Sequence, residues 1–343
     1  MSNLSDNASI AAASLVAIVA VLDALGLDSK RLLSGSGILP DQMGRGGRIP
    51  QEQLSALICR LSEIENSHLI GLKFAEHVHA TTYDAFGVLL VSSKNIRSFC
   101  SNSARYYAFV NTGVELRFNV SEAQASLVYG IPERCYKQPV ERFLNASGWA
   151  ASWLKLMRMA SRPDYSPCKV TFTFAEPASS SEIKDYFGCP VEFDSAVDAL
   201  FFNVDEEFDA ILPGGNAELA RHSETLLFQE VRALGVTDIE NAVRVSLFEL
   251  LSRGETSLDI VAEKLGLDAM EVQSGLRAVG KNLTQVIRET RQELAEDYVT
   301  RADLTINEVA YMLGFSDCSN FARSFRRWTG LSPSEYRSQF LPE

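Results

Sequence analysis

The chain has 343 residues, of which 46% are hydrophobic and 22% are charged. That balance is typical of a globular protein and excludes a disordered or collagen-like chain, and the length suggests two domains. A net charge of −12 argues against tight, non-specific coating of DNA, because phosphate contacts need Lys and Arg. The charge is uneven, however, since Phe321–Arg337 holds four arginines against one glutamate.

The six cysteines and the apolar N-terminal stretch bear on compartment. No two cysteines have Cys-x-x-Cys spacing, so neither a zinc site nor a redox motif is predicted, and a reduced cytoplasmic protein fits best. Ala8–Leu22 is too short for a membrane span of about 20 residues. It also lacks the preceding Lys or Arg of a signal peptide. We therefore predict a buried helix there and no membrane partner.

The first two thirds of the chain change hydrophobic period several times. Spacings of three and four residues predict helices up to about residue 112, and two-residue alternation then predicts a β-hairpin from Val114–Asn119 and Ala125–Tyr129. Further helices are predicted at Val140–Met159 and Ser181–Phe187. Further strands are predicted at Lys169–Phe174, Val191–Phe193 and Ala199–Asn203. We expect an α+β domain over residues 1–225, a helical connection over 226–240 and an all-α domain over 241–343.

Residues 305–337 have the pattern of a helix-turn-helix. Thr305 and Glu308 form a capping box, Gly314 ends the helix after two turns, and Phe321 and Phe325 mark the inward face of the next helix. A recognition helix presents its opposite face to base edges, and arginines further along suit phosphates. On geometry alone, a surface hairpin with solvated arginines explains the pattern equally well. The predicted DNA-contacting residues are Cys318, Ser319, Asn320, Arg323, Arg326 and Arg327.

A second unit of the same kind precedes it. One helix begins at Thr256–Asp259 and ends at Gly266, and Asp268–Val279 forms the next, with Val279 predicted to face inward. We place Gln273 on the face equivalent to that of Ser319, 46 residues later, and predict that it reads a base edge. A rigid connecting helix over Thr284–Val299 would set the two recognition helices about 34 Å apart, one turn of DNA.

At these residues the chain resembles the AraC/XylS family of bacterial transcription regulators. The resemblance covers about residues 240–340 and implies sequence-specific binding to a double-stranded DNA operator. By family analogy, activation through positioning of RNA polymerase is favoured over repression. Residues that carry the resemblance are Ile306, Val309, Ala310, Gly314–Asp317, Phe321, Arg323, Phe325–Gly330, Ser332, Pro333, Tyr336 and Arg337, with Arg291 and Ala295 in the connecting helix.

Residues 10–225 are similar to the large arabinose-binding-like N-terminal domain of one branch of that family. The similar segments are Gly71–Glu76, Gly87–Ser93, Phe187–Phe193 and Ala199-Leu200. The resemblance implies binding of a small-molecule effector or self-association as a homodimer, and it leaves the effector unidentified.

Several residues in this front domain invite sharper hypotheses. Five aromatic residues could line an apolar pocket, but core packing is favoured, and Trp149 and Trp153 are read as helix packing. His77 and His79 have the wrong spacing for a metal pair on a helix, and no phosphate loop or dinucleotide fingerprint predicts a cofactor. The five aromatic residues are Tyr83, Phe86, Tyr106, Tyr107 and Phe109.

Two rival functions stay open beside DNA-binding regulation. One is a co-regulator that binds a protein partner through the helical domain and binds DNA weakly, which the acidic charge favours. The other is an enzyme fused to a DNA-binding tail. Ser92-Ser93 has no evident His and Asp partners, so no catalytic constellation supports the enzyme.

The two units differ in the chemistry of their predicted DNA faces. The first offers Met270, Gln273, Ser274 and Gly275, with Glu271 beside them, where the family usually has basic or bulky polar residues. We predict that Arg323→Ala weakens operator binding more than Gln273→Ala in a gel-shift titration. Equal losses would contradict this asymmetry.

Overall fold

The computed structural model describes residues 8–44, 46–64, 67–131, 139–177, 180–234 and 238–339. The chain forms two compact units, residues 1–236 and residues 237–343. Within the described residues, the first unit combines helices with two sheets and the second contains helices alone. The predicted fold class, an α+β domain followed by an all-α domain, is confirmed.

The first unit has ten α-helices in its described part. The helix predicted over Ala8–Leu22 begins only at Ala13, because Ser9–Ala11 pairs with Arg48–Pro50 as a strand, and Leu15, Val21 and Leu22 are buried within the helix. None of the helices in the described part of the chain combines the length and apolar character needed to cross a bilayer. The helices are α1 (Ala13–Ala24), α2 (Ser29–Gly35), α3 (Gln51–Ser62), α4 (Ile70–Glu76), α5 (Asp84–Val91), α6 (Ile96–Tyr106), α7 (Pro139–Ala160), α8 (Ser180–Phe187), α9 (Glu206–Asp209) and α10 (Ala217–Ala233).

A five-stranded sheet with the order β3-β4-β7-β5-β6 covers one side of this unit. The predicted hairpin is its β3-β4 pair, and only β5 and β6 run parallel among the described strands. A separate two-stranded sheet joins β1 to β2. The strands are β1 (Ser9–Ala11), β2 (Arg48–Pro50), β3 (Glu115–Val120), β4 (Gln124–Gly130), β5 (Lys169–Thr171), β6 (Val191–Glu192) and β7 (Asp198–Asn203).

The ends of β5 and of α6 also differ clearly from their predicted positions. β5 ends at Thr171 and not at Phe174, because the amide of Thr173 donates to the buried carboxylate of Asp198 at 2.7 Å, outside the strand ladder. The helix predicted over Ile96–Thr112 ends at Tyr106, and a 3₁₀ turn follows over Tyr107–Phe109.

The described residues of the first unit form two hydrophobic clusters. The larger one joins α4–α7, the five-stranded sheet and α10, and Trp153 of α7 is fully buried within it. The smaller one joins α1, α3 and the residues between them, with Leu144 of α7 at its border. Because α7 contributes to both clusters, it connects the two parts of the core.

The second unit is built around α11, which contacts four of the following helices. Its buried residues include Val243, Leu247 and Leu251, and Arg244 is 5% exposed, with its guanidinium 3.3 Å from Glu293. The helices of this unit are α11 (Ile239–Arg253), α12 (Leu258–Leu265), α13 (Ala269–Ala278), α14 (Leu283–Val299), α15 (Ile306–Met312), α16 (Cys318–Thr329) and α17 (Pro333–Ser338).

Candidate DNA-binding interface

The second unit contains two helix-turn-helix motifs that share one local plan. The first helix of each begins at an N-cap with a hydroxyl group, Ser257 or Thr305. The hydroxyl oxygen accepts a hydrogen bond from the backbone N–H three residues later in the chain. Each first helix ends at a glycine with positive φ, Gly266 at 65° or Gly314 at 72°. These are the preferred start and stop signals of helices, so the sequence alone predicts both motifs.

The N-caps of the second helices set the true correspondence between the motifs. Asp268 caps α13 and Asp317 caps α16, so equivalent positions lie 49 residues apart and not 46. The predicted equivalence of Gln273 and Ser319 is therefore wrong by three positions. One of the three arises because the turn of the second motif is one residue longer than that of the first. The other two arise because the predicted spacing was already too short for the first helices of the two motifs. Ser319 corresponds to Met270, and Gln273 corresponds to Ala322.

This correspondence identifies a basic residue that the sequence analysis missed. Arg277 of α13 is exposed and occupies the position of Arg326 in α16, whereas Ser274 occupies the position of Arg323. The aspartate N-caps, visible in the sequence, are the signal from which the register could have been found.

The recognition helix of the second motif, α16, has one packed face and one open face. Phe321 and Phe325 are fully buried, and Phe315 of the turn packs 5.5 Å from Phe321 between ring centroids. At about 100° of rotation per residue, the opposite face falls near Ser319, Arg323 and Arg326. An open polar groove beside it is lined by Gly314, Phe315, Ser316, Asn320, Arg323, Ser324 and Arg327.

The exposure of the predicted DNA-contacting residues follows that geometry. Ser319, Arg323, Arg326 and Arg327 are exposed, and Asn320 is half-buried at the side of the open face. Cys318 is half-buried and lies about 60° from Phe321 around the helix, so it borders the packed face. The structure thus brings the three arginines together on the solvent side of one helix.

A chain of hydrogen bonds holds Arg323 in place. The side-chain amide of Asn320 donates to the carboxylate of Asp317, and its carbonyl oxygen accepts from Nη2 of Arg323 at 2.5 Å. The hydrogen bond from the backbone N–H of Asn320 is the main reason that the pKa of Asp317 lies below its usual value. The N-cap of α16 and the orientation of Arg323 therefore depend on the same carboxylate.

Two other arginines of this unit hold the structure together. Arg291 of α14 donates to the carbonyl oxygen of Leu313 at 3.0 Å and lies 5.2 Å from the ring centroid of Phe315. Arg337 donates to the carbonyl oxygen of Val299, where α14 ends, and to that of Leu304, just before the N-cap of α15. By contrast, neither Arg326 nor Arg327 forms an ion pair within the described residues. Both guanidinium groups are available to phosphates.

The first motif has a different surface. A Cβ atom on Gly275 would lie 2.7 Å from Cγ1 of Ile239, so this glycine faces α11 and not the predicted DNA side. Glu271 belongs to the capping box of α13. Val279 is 55% exposed, so its predicted inward position is wrong, because α13 ends at Ala278 and Val279 is its C-cap.

The front unit places its candidate residues in two groups. Tyr83 and Tyr107 line a cavity together with Trp149 and Trp153, whereas Phe86, Tyr106 and Phe109 lie in the core outside it. The interpretation of Trp149 and Trp153 as helix packing alone is therefore incomplete. In the described part of the chain, no three His, Cys, Asp or Glu side chains group as metal ligands would.

A double helix-turn-helix joined by one connecting helix defines a DNA-binding protein, and comparison with known proteins gives its family. Residues 26–206 match the arabinose-binding domain of AraC transcription regulators, and residues 227–339 match a helix-turn-helix domain. The chain belongs to the AraC family of regulators that carry this N-terminal domain. It is a DNA-binding transcription regulator.

Individual relatives agree over most of the chain. The ornithine utilization regulator of Pseudomonas aeruginosa is 24% identical over 91% of each chain. The regulator VqsM of the same organism is 22% identical over 79% of this chain and 84% of its own. The crystal structure of the regulator CdpR, also from that organism, shares the fold with a TM-score of 0.55 at 20% identity, covering 95% of this chain and 98% of its own.

Gly314 provides a test of the turn between α15 and α16. Its φ is 72°, and an added Cβ would lie 2.4 Å from the carbonyl oxygen of Leu251. Gly280, with φ of 74° and open space around it, is the matched control. We expect Gly280→Ala to cost about 1–2 kcal/mol of backbone strain and Gly314→Ala to cost about 3 kcal/mol or more. Urea unfolding, monitored by amide hydrogen exchange in α15 and α16, measures the free energy of unfolding of both variants. Equal losses of stability would refute the close approach.

Asp317 provides a test of the recognition-helix cap. Asp317→Ala should weaken operator binding several-fold, because the start of α16 frays and Arg323 loses its support, whereas Asp317→Asn should retain a cap.

A lowered pKa of Asp317 means that its carboxylate stabilises the helix at pH values above the pKa of this group in the unfolded chain. That contribution is lost as pH falls through the lower folded value. Protection of the Asn320 amide should therefore fall with acid in the parent and persist in Asp317→Asn.

Proposed function

We propose that this protein binds a specific operator through two unequal helix-turn-helix motifs, with α16 supplying most of the affinity. The observation that carries the proposal is the open face of α16, where Arg323, Arg326 and Arg327 are exposed opposite a fully packed face. In α13 the corresponding positions hold Ser274, Arg277 and Ala278, so a single guanidinium remains.

The DNA contacts divide by chemistry. Arg323 lies in the middle of α16 and is oriented by Asn320, which suits bidentate recognition of a guanine edge. Arg326 and Arg327 lie a turn further along and suit phosphates. Ser319, Asn320 and Cys318 lie near the start of α16, and Gln273 is exposed on α13, so these four side chains are our candidates for the remaining contacts.

We further infer that residues 1–225 regulate the DNA-binding domain at residues 241–343. The match to an arabinose-binding domain supports sensing of a small molecule, and it does not specify arabinose. In this proposal the effector changes operator occupancy, the protein acts as a homodimer on paired half-sites, and the bound protein activates transcription by positioning RNA polymerase.

Selection of operator sequences from random DNA tests the proposal, followed by affinity measurements across a salt series. We expect Arg326→Ala to reduce the slope of log K against log salt by about 0.9, the contribution of one phosphate, without changing the preferred sequence. Arg323→Ala should instead relax sequence preference at one position. Arg162→Ala, in the front domain, is the matched control and should change neither.

The alternative is a co-regulator that uses the helical domain to bind a protein. One observation favours it. Met270 is 77% exposed on the outward side of α13, where a DNA-recognition helix usually has a polar residue. A protein that shows no preference for any selected sequence over random DNA would refute our proposal and support this alternative.

A further inference from the structure

The first unit contains a cavity where its two hydrophobic clusters meet. Ile58 and Ile70 from the smaller cluster line one part of it, and aromatic residues of the larger cluster line the rest. Its volume is about 100 Å³, smaller than a cavity of about 150 Å³ that is known to hold benzene in another protein. A ligand is therefore limited to one ring inside the cavity, and any short substituent lies towards the side on which the cavity opens.

The cavity lining is uncharged. Among the described residues that line it there is no Asp, Glu, Lys, Arg or His. Burial raises the pKa of Tyr83 and of Tyr107 above the usual value, so both phenols are neutral at physiological pH. Transfer of a charged ligand into such a site would leave its charge without a counter-ion, so the occupant is neutral.

The two tryptophans that line the cavity differ in their hydrogen bonding. The indole N–H of Trp153 donates to the hydroxyl of Ser103 at 2.9 Å. The N–H of Trp149 has no acceptor within the described residues, although this side chain is 4% exposed. Its ring stacks on Tyr129, with centroids 4.7 Å apart and planes inclined by 14°. A buried donor without an acceptor destabilises a core, and the place of Trp149 in the cavity lining points to an occupant that supplies the acceptor.

We propose that this cavity binds a small, neutral, single-ring aromatic molecule whose one hydrogen-bond acceptor receives the N–H of Trp149. The aromatic walls provide stacking and edge contacts for the ring, and Trp149 fixes its orientation. The proposal rests on the effector-sensing role inferred above and assigns to it a site and a chemical class.

A matched pair of probes tests the acceptor. Benzonitrile and ethynylbenzene have nearly the same shape, and only the nitrile is a strong acceptor. We expect calorimetric titration of the full chain to show benzonitrile binding about five- to tenfold more tightly than ethynylbenzene, the usual effect of one buried hydrogen bond. The infrared nitrile band should shift to the position of a hydrogen-bonded nitrile. Benzoate, which has the same ring and a charge, should not bind.

Two tryptophan variants separate this role from packing. Trp149→Phe keeps an aromatic ring and removes the N–H, so both probes should bind equally and the nitrile shift should disappear. Trp153→Phe removes an N–H that is already paired within the protein, so the preference for benzonitrile should persist. Failure of benzonitrile to bind the parent protein, or a preference unchanged in Trp149→Phe, would overturn the proposal.

Fluorescence anisotropy of a selected operator, with and without benzonitrile, distinguishes the ligand site from the regulatory function. A change in operator affinity that Trp149→Phe abolishes supports both. Binding of benzonitrile without any change in operator affinity supports the site and refutes the effector response. Sequence-specific operator binding by a protein that binds neither probe refutes the site and leaves DNA-binding regulation intact.

Discussion

The turn between α15 and α16 is where the DNA-binding unit depends on a single backbone geometry. Gly314 adopts a left-handed conformation that brings its Cα against the carbonyl of Leu251 in α11, too close for any side chain. Arg291 then binds the carbonyl of Leu313 and covers Phe315, which packs against Phe321. The angle at which α16 leaves the body of the unit, and so the direction of its arginines, follows from these contacts.

The arginines of this unit divide according to the carbonyls around them. Arg291 and Arg337 donate to the carbonyl oxygens of Leu313 and Val299 at the ends of helices, where those acceptors have no partner within the helix, and Arg337 also donates to Leu304 in the connection between α14 and α15. Arg326 and Arg327 are exposed, and neither donates to a backbone oxygen within the described residues. A count of basic residues would treat all four alike, yet half of them stabilise the fold and half are available to a ligand.

The sequence predicts most of the elements and a large part of the site, and its failures have physical causes. Caps and glycines are local signals, so both helix-turn-helix motifs are evident without a structure. The packing of one helix face against another helix is a tertiary property, so the close approach of Gly275 to Ile239 is not evident from the sequence. Likewise, the N–H of Trp149 has no acceptor within the described residues, and only the arrangement of the core in space shows this.

The unequal chemistry of α13 and α16 has a consequence for the DNA as well as for the protein. In our proposal a guanidinium held by Asn320 discriminates among bases, whereas the serine and alanine at the matching positions of α13 are too short to do so. The DNA site read by each protomer is then expected to be lopsided, with the base pairs under α16 nearly invariant and those under α13 tolerant of substitution. Promoters can then acquire a site by a few base changes, and differences in occupancy among them would arise mainly from the permissive segment under α13.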